Sequence, residues 1–220
     1  MPNVDGFDTS IYPGGDNMAW FRDNCGFRYA GFYLAPAPNH GDASWMGQRD
    51  ALAAAGWGFL PVFVGLQIND MGLSSAAGTQ DGSNAAALMR QAGFHTQSIC
   101  YLDLESGMQP SGSYAAYIAS WIAAVDSGNY VAGIYCSHVI AAWCGAQTPY
   151  LWTFRIPSGA SGQTYPPEQI PQGSIASGGV ATQYRQNVFI TGNTTQIDIN
   201  VSLVADPSNL ASVMHAQEPA

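Results

Sequence analysis

The chain has 220 residues, 47% of them apolar, and a formal net charge of −9 from 15 acidic and six basic side chains. That length can bury one sizeable core, and no apolar run approaches the span of a membrane helix. All six basic residues are arginine, so nucleic acid and anionic membrane surfaces make poor partners.

A neutral ligand, reached by hydrogen bonds and ring stacking, suits this surface better. Six Trp and eleven Tyr supply the rings. Cys25, Cys100, Cys136 and Cys144 match no zinc spacing. Cys100 and Cys136 fall inside strands as small buried hydrophobes. Cys136 and Cys144 are near enough to pair in an oxidising compartment, and reduced thiols are the open alternative. No secretory leader is visible ahead of the first strand, which implies prior removal or another export route.

Val4 to Asp8 reads as the first strand, and Asp16 as the cap of a helix reaching about Gly26. Tyr29–Leu34 is the second strand, followed by a Pro-rich loop and a helix from about Ser44 to Ala55. Phe59–Val64 is the third strand. Asn69 to Gly82 reads as a long Gly/Ser loop, and Asn84 to Ala92 as helix. Ile99–Leu104 is the fourth strand. Tyr114, Ile118, Trp121, Ile122 and Val125 keep helical spacing. Tyr130–Cys136 is the fifth strand, His138–Cys144 a short helix and Leu151–Phe154 the sixth strand. Residues 155–178 are rich in Gly, Pro and Ser. Ala181–Arg185 and Gln196–Val201 complete eight strands, and only five of the eight are followed by clear helices.

This alternation predicts an α/β chain with a parallel sheet: a modified TIM-type (β/α) barrel with eight strands and fewer than eight outer helices. A doubly wound open sheet is the alternative, and no phosphate-binding glycine motif supports it. Residues 1–208 form one barrel domain in this reading. Residues 209–220 form a loose tail.

The fourth strand carries the chemistry. Side chains alternate along a strand, so Asp103 and Glu105 share a face with Ile99 and Tyr101. Two carboxyls on one face resist ionising together, and the sequence has only three Glu. The structural alternative is that one acid pairs with an arginine and the other is solvated. Barrel active sites lie at the carboxyl ends of the strands. There Asp8 ends strand one, and Asp198 sits on the last strand beside it. Four carboxyls around one mouth would raise at least one pKa into the range of a general acid. No His is placed to help hold a metal, so neither a metal nor another cofactor is expected.

Asp8 in Phe7-Asp8-Thr9-Ser10, Tyr101-x-Asp103-x-Glu105, Gly133-Ile134-Tyr135-Cys136-Ser137, Leu151-Trp152, Gln183-Tyr184 and Ile197-Asp198-Ile199-Asn200 stand in an order that resembles glycoside hydrolase family 25 lysozymes. Leu60 to Gln67 and Gly78-x-x-Asp81 are more similar to their relatives, the glycoside-hydrolase-like domains of actinobacteria and their phages. The resemblance covers about residues 4 to 204 and implies the modified barrel. It implies a hydrolase of cell-wall glycan, most plainly the N-acetylmuramic acid linkage of peptidoglycan. Glu105 would be the general acid. Asp103 would orient the substrate's N-acetyl group or steady the positive transition state. Asp8 and Asp198 would bind sugar or tune Glu105, and Tyr184 would lie near the N-acetyl pocket. Tyr33, Trp152 and Gln67 complete the expected substrate contacts. Arg155 is a candidate to pair with an acid at the mouth.

Two alternatives accompany this reading: a carbohydrate-binding domain without turnover, and a hydrolase of another actinobacterial envelope glycan. The expected partner is cell-wall glycan, the expected state a monomer, and the expected location extracellular or wall-associated, by secretion or phage delivery.

Overall fold

The computed structural model describes residues 3–218. Its elements run β1 (Val4–Asp8), α1 (Gly15–Cys25), β2 (Tyr29–Tyr33), α2 (Arg49–Ala54), β3 (Gly58–Phe63), α3 (Ser75–Gln91), β4 (Ile99–Leu104), α4 (Gly112–Ser127), β5 (Val131–Ser137), α5 (Ala141–Gly145), β6 (Leu151–Phe154), β7 (Thr164–Tyr165), β8 (Gly179–Ile190), β9 (Ile197–Ser202) and α6 (Leu210–Gln217). Strands β1 to β6 pair in sequence order and in parallel. Strand β9 pairs with both β1 and β8, and β8 closes the ring against β6. Eight strands thus form a closed barrel, with the two-residue β7 appended to β8. The modified (β/α) barrel read from the sequence is the observed architecture.

One expectation fails in detail. The sheet is mixed, because β9 runs antiparallel to both neighbours. Only a short turn separates β8 from β9, too short for the crossover that a parallel partner requires.

Two apolar layers hold the barrel. Alternate residues point inward: Tyr29, Leu60, Val62, Ile99, Tyr101, Tyr135 and Trp152 fill the interior. The intervening residues, among them Phe7, Phe32, Phe59, Phe63, Leu102 and Ile134, pack outward against the helices. Strands buried on both faces explain the unbroken apolar run of β3.

The stretch 69–82 corrects another expectation. Ser74 caps a 17-residue helix by accepting from the Ala77 amide at 3.1 Å, so α3 begins well inside the expected loop. Its glycines are there for contact. A Cβ on Gly78 would stand 2.2 Å from the Tyr117 carbonyl, and one on Gly82 2.5 Å from that of Trp121, both on α4. Glycine at i and i+4 lets α3 and α4 approach backbone to backbone. In the sequence the same glycines look like a loop. Helix α2 is shorter than expected and starts at Arg49. Asp16 lies in the first turn of α1 without capping it. All four cysteines are free thiols.

The C-terminal segment is packed, against the expectation of a loose tail. Residues 203–209 cross the amino-terminal end of the barrel. The Asp206 carboxylate accepts from the Phe59 amide at 3.1 Å, and the Pro207 carbonyl accepts from the Tyr101 hydroxyl at 3.1 Å. Helix α6 follows, capped by Asn209, with Val213 fully buried in the interior cluster. The bottom of the barrel is therefore plugged.

Val213→Asp would place an unpaired carboxylate in that plug and forfeit about 1.5–3 kcal/mol of apolar burial. At about 2–4 °C per kcal/mol for a chain of this size, a fall in Tm of several degrees is expected. Met214→Asp, on the exposed face of α6, is the control and should leave the thermal melt unchanged.

Candidate active site

The open end of the barrel gathers four carboxyl groups. Asp8 ends β1, Asp103 is next to last in β4, Glu105 follows β4, and Asp198 is second in β9. Because β9 is antiparallel, its beginning reaches the end where the parallel strands finish. Asp8 and Asp198 are direct register partners. Asp103 continues the inward face of Ile99 and Tyr101, as alternation requires. Asp8 and Asp103 are buried, at 4% and 5% exposure, whereas Glu105 stands exposed on the rim.

Gly31 on β2 makes room for this arrangement. A Cβ there would lie 2.4 Å from that of Asp8.

Neutral donors hold the acids. The Tyr33 hydroxyl donates to Asp8 Oδ1 at 3.0 Å, and Asn200 Nδ2 donates to Asp8 Oδ2 at 2.7 Å. Trp152 Nε1 donates to Asn200 Oδ1 at 2.8 Å, which turns the Asn200 amide so that its NH₂ faces Asp8. A second chain serves Asp198. The Tyr135 hydroxyl donates to Gln183 Oε1 at 2.6 Å, and Gln183 Nε2 donates to Asp198 Oδ2 at 2.7 Å. The Asn187 amide donates to Asp198 Oδ1 at 2.6 Å. Asn187 adopts φ 54°, a left-handed backbone that Asn tolerates better than most residues. Gln67 braces the end of β4. Its Nε2 donates to the Asp103 carbonyl at 2.9 Å, and its Oε1 accepts from the Glu105 amide at 3.1 Å.

Among the described residues the ion pairs are Arg49–Asp50 and His215–Glu218, so no arginine meets the four acids. Their protonation follows. Burial raises Asp103 well above the ordinary aspartate range, and the Glu105 and Asp8 charges raise it further. Burial and then the Asp198 charge do the same for Asp8, only partly offset by the bonds from Asn200 and Tyr33. Burial by the surrounding walls raises Glu105 too, and its contact with the Asp103 carboxyl pulls it partly back. Asp198 is pushed up to about 6, mainly by burial. The Asp103 and Glu105 carboxyls thus act on each other's protonation, while Asp103 Oδ1 is buried with no hydrogen-bond partner among the described residues.

Tyr33, Asp8, Thr9, Ser10, Asn187, Gln196 and Asp198 line a recess of about 190 Å³ beside this pair. Tyr33 is half-buried there, as expected of a cleft residue. Two expected contacts lie elsewhere. Trp152 is 1% exposed and forms the floor under Asn200. Tyr184 packs on the outer side of β8 against Gly173. Alternation is the reason: Gln183 follows Ala181 on the inward face, so its neighbour Tyr184 faces outward. Gln67 holds backbone rather than the recess wall. Arg155 lies outside the acid ring, in another recess.

Tyr135, Gln183, Asn187 and Asn200 also belong to the site. Alternation along the last strand already puts Gln196, Asp198 and Asn200 on one face. The bulge that aims the Asn187 amide has no sequence signal.

The native state keeps a proton on Asp198 up to about pH 6, whereas an unfolded aspartate loses it near 3.8. Between those values the native state binds more protons, so this carboxyl's contribution to stability falls as pH rises. Asp198→Asn is expected to flatten part of the decline in Tm across that interval. An unchanged slope in thermal melts would contradict the assignment.

The fold has known counterparts. An uncharacterized protein of B. stearothermophilus superposes with a TM-score of 0.66 at 17% identity, over 90% of this chain and 95% of that one. The Tat-secreted protein Rv2525c of Mycobacterium tuberculosis gives 0.59 at 17% identity, over 93% and 96%. The spore cortex lytic enzyme SleM of Clostridium perfringens gives 0.64 at 10% identity, over 96% and 69%. Identities this low establish a shared fold only. A search of curated proteins finds no significant match. The sequence profile of one family matches residues 19–204, most of the chain. The chain belongs to the Rv2525c-like, glycoside hydrolase-like domain family.

Proposed function

We propose that this protein is a glycoside hydrolase of bacterial cell-wall glycan, most plainly peptidoglycan, with Glu105 as general acid. The observation that carries the proposal is the Asp103–Glu105 carboxyl pair at the open end of a closed barrel, with Asp8 and Asp198 beside it and, among the described residues, no cation paired with them. The fold shared with a spore cortex lytic enzyme supports the substrate class. The fold shared with a Tat-secreted protein supports an extracellular or wall-associated location.

The roles follow from access. Glu105 is the member of the pair that a ligand can touch, since Asp103 is buried behind it. A glycan lying across the rim displaces water and raises the Glu105 pKa further. The proton then passes from Glu105 to the glycosidic oxygen as the bond to the anomeric carbon breaks. Asp103 and Asp8 face the positive charge that grows on the departing sugar. Water, or first the substrate's own N-acetyl oxygen, adds to the anomeric carbon. A proton released on water addition returns to Glu105. Gln67 is a positioning residue, since it holds the backbone on both sides of the pair.

Release of reducing ends from purified cell walls tests the proposal. Glu105→Gln should lower the rate by about 10²–10⁴ while keeping the wild-type Tm. Asp103→Asn should also lose orders of magnitude in kcat without loss of fold. Equal release by wild type and Glu105→Gln, or none by either, would defeat the assignment. Gln67→Leu is expected to lower kcat by about tenfold or more through misplacement of the pair, with KM little changed. A change in KM alone would make Gln67 a substrate contact instead.

A further inference from the structure

The arginines of this acidic chain are scarce, and two of the six converge on one recess outside the acid mouth. Arg155 follows β6, Arg185 lies in β8 and His138 follows β5. With Ser174, Thr182 and Tyr184 they line a cavity of about 510 Å³ under the 155–178 segment. Neither arginine forms an ion pair among the described residues.

The bulge in β8 builds this recess. Plain alternation would put Arg185 on the inner face with Gln183, among the carboxyls. The register slip between them turns Arg185 outward, opposite Ile199. It is then held in place: Nε donates to the Tyr165 hydroxyl at 3.1 Å, one Nη donates to the Tyr184 carbonyl at 2.7 Å, and the guanidinium lies 5.2 Å from the Tyr184 ring centre. Its remaining N–H groups are uncommitted. Among the described residues the Arg155 side chain makes no hydrogen bond, and the exposed His138 contacts the Phe154 carbonyl through Nδ1, which leaves Nε2 without a partner. No acid is among the residues that line the recess. The Arg185 contacts fix its guanidinium but supply no counter-charge, and Arg155 has none either in a chain of charge −9; such forks match oxyanions closely.

We infer that this recess binds an oxyanion, a carboxylate or phosphate carried by the polymer whose backbone lies in the acid mouth. One strand, β8, separates the two. It presents Gln183 to Asp198 on one side and Arg185 to the recess on the other. A polymer crossing this rim would thus place a neutral sugar over the carboxyls and a charged substituent over the arginines. That the carrier is wall glycan rests on the function proposed above; that an oxyanion binds does not.

Chemical-shift titration of the Glu105→Gln chain tests this without turnover. The probes are a muramyl peptide with free carboxylates, the same peptide fully amidated, and inorganic phosphate. The free-acid peptide should bind about tenfold more tightly than the amide, as expected for charge-assisted bonds, and shift amides around Arg185. Arg155→Gln should weaken that preference without touching the fold, Arg155→Lys should retain part of it, and the Arg155→Gln/Arg185→Gln pair should abolish it. Phosphate shifting the same amides while the two peptides bind alike would identify the source as a phosphate ester. The inference is overturned if neither free-acid peptide nor phosphate shifts these amides, or if the double variant binds them as well. Loss of wall cleavage with intact anion binding would count only against the hydrolase.

Discussion

Four carboxyl groups share one mouth with no cation paired to them among the described residues, and the architecture around that mouth answers to this crowding. Two full charges about 4 Å apart repel by about 4 kcal/mol in a near-surface dielectric, whereas a neutral hydrogen bond contributes about 1 kcal/mol. The Tyr33, Asn200, Gln183 and Asn187 donors can therefore orient the acids but cannot cancel their charge. Protons must remain. Protonation near neutrality is thus a consequence of assembly, and a resident proton is what a general acid needs.

The antiparallel closing strand delivers that assembly. A parallel β9 would have started at the plugged end, with Asp198 far from Asp8. Running it backwards puts its second residue at the mouth. The same reversal lets a short turn join β8 to β9, which frees β8 to carry bulges. Those irregularities turn Arg185 outward, away from inward-facing Gln183, and aim the Asn187 amide at Asp198. Regular strands build the floor, and the irregular one builds the walls.

Much of this was legible beforehand. Alternation along Ile99–Glu105 placed Asp103 and Glu105 on one face, and counting strands against helices suggested a barrel with missing helices. What escaped was nonlocal. Gly78 and Gly82 resemble loop residues until their contact with α4 is known. Tyr184 is the chain neighbour of inward-facing Gln183, so alternation turns it outward, away from the mouth that the family motif suggests for it. Trp152 lies near a strand end, as a stacking residue would, yet its indole is committed to Asn200 beneath the acids. The C-terminal helix has an ordinary amphipathic sequence, and its burial depends on the barrel having a bottom to close.

That plug carries a practical corollary. Chain appended beyond α6 would leave from the sealed pole, opposite the acidic opening. An immobilisation handle joined there would tether the molecule with its cleft facing the medium, so large insoluble sacculi could approach without steric obstruction by the support.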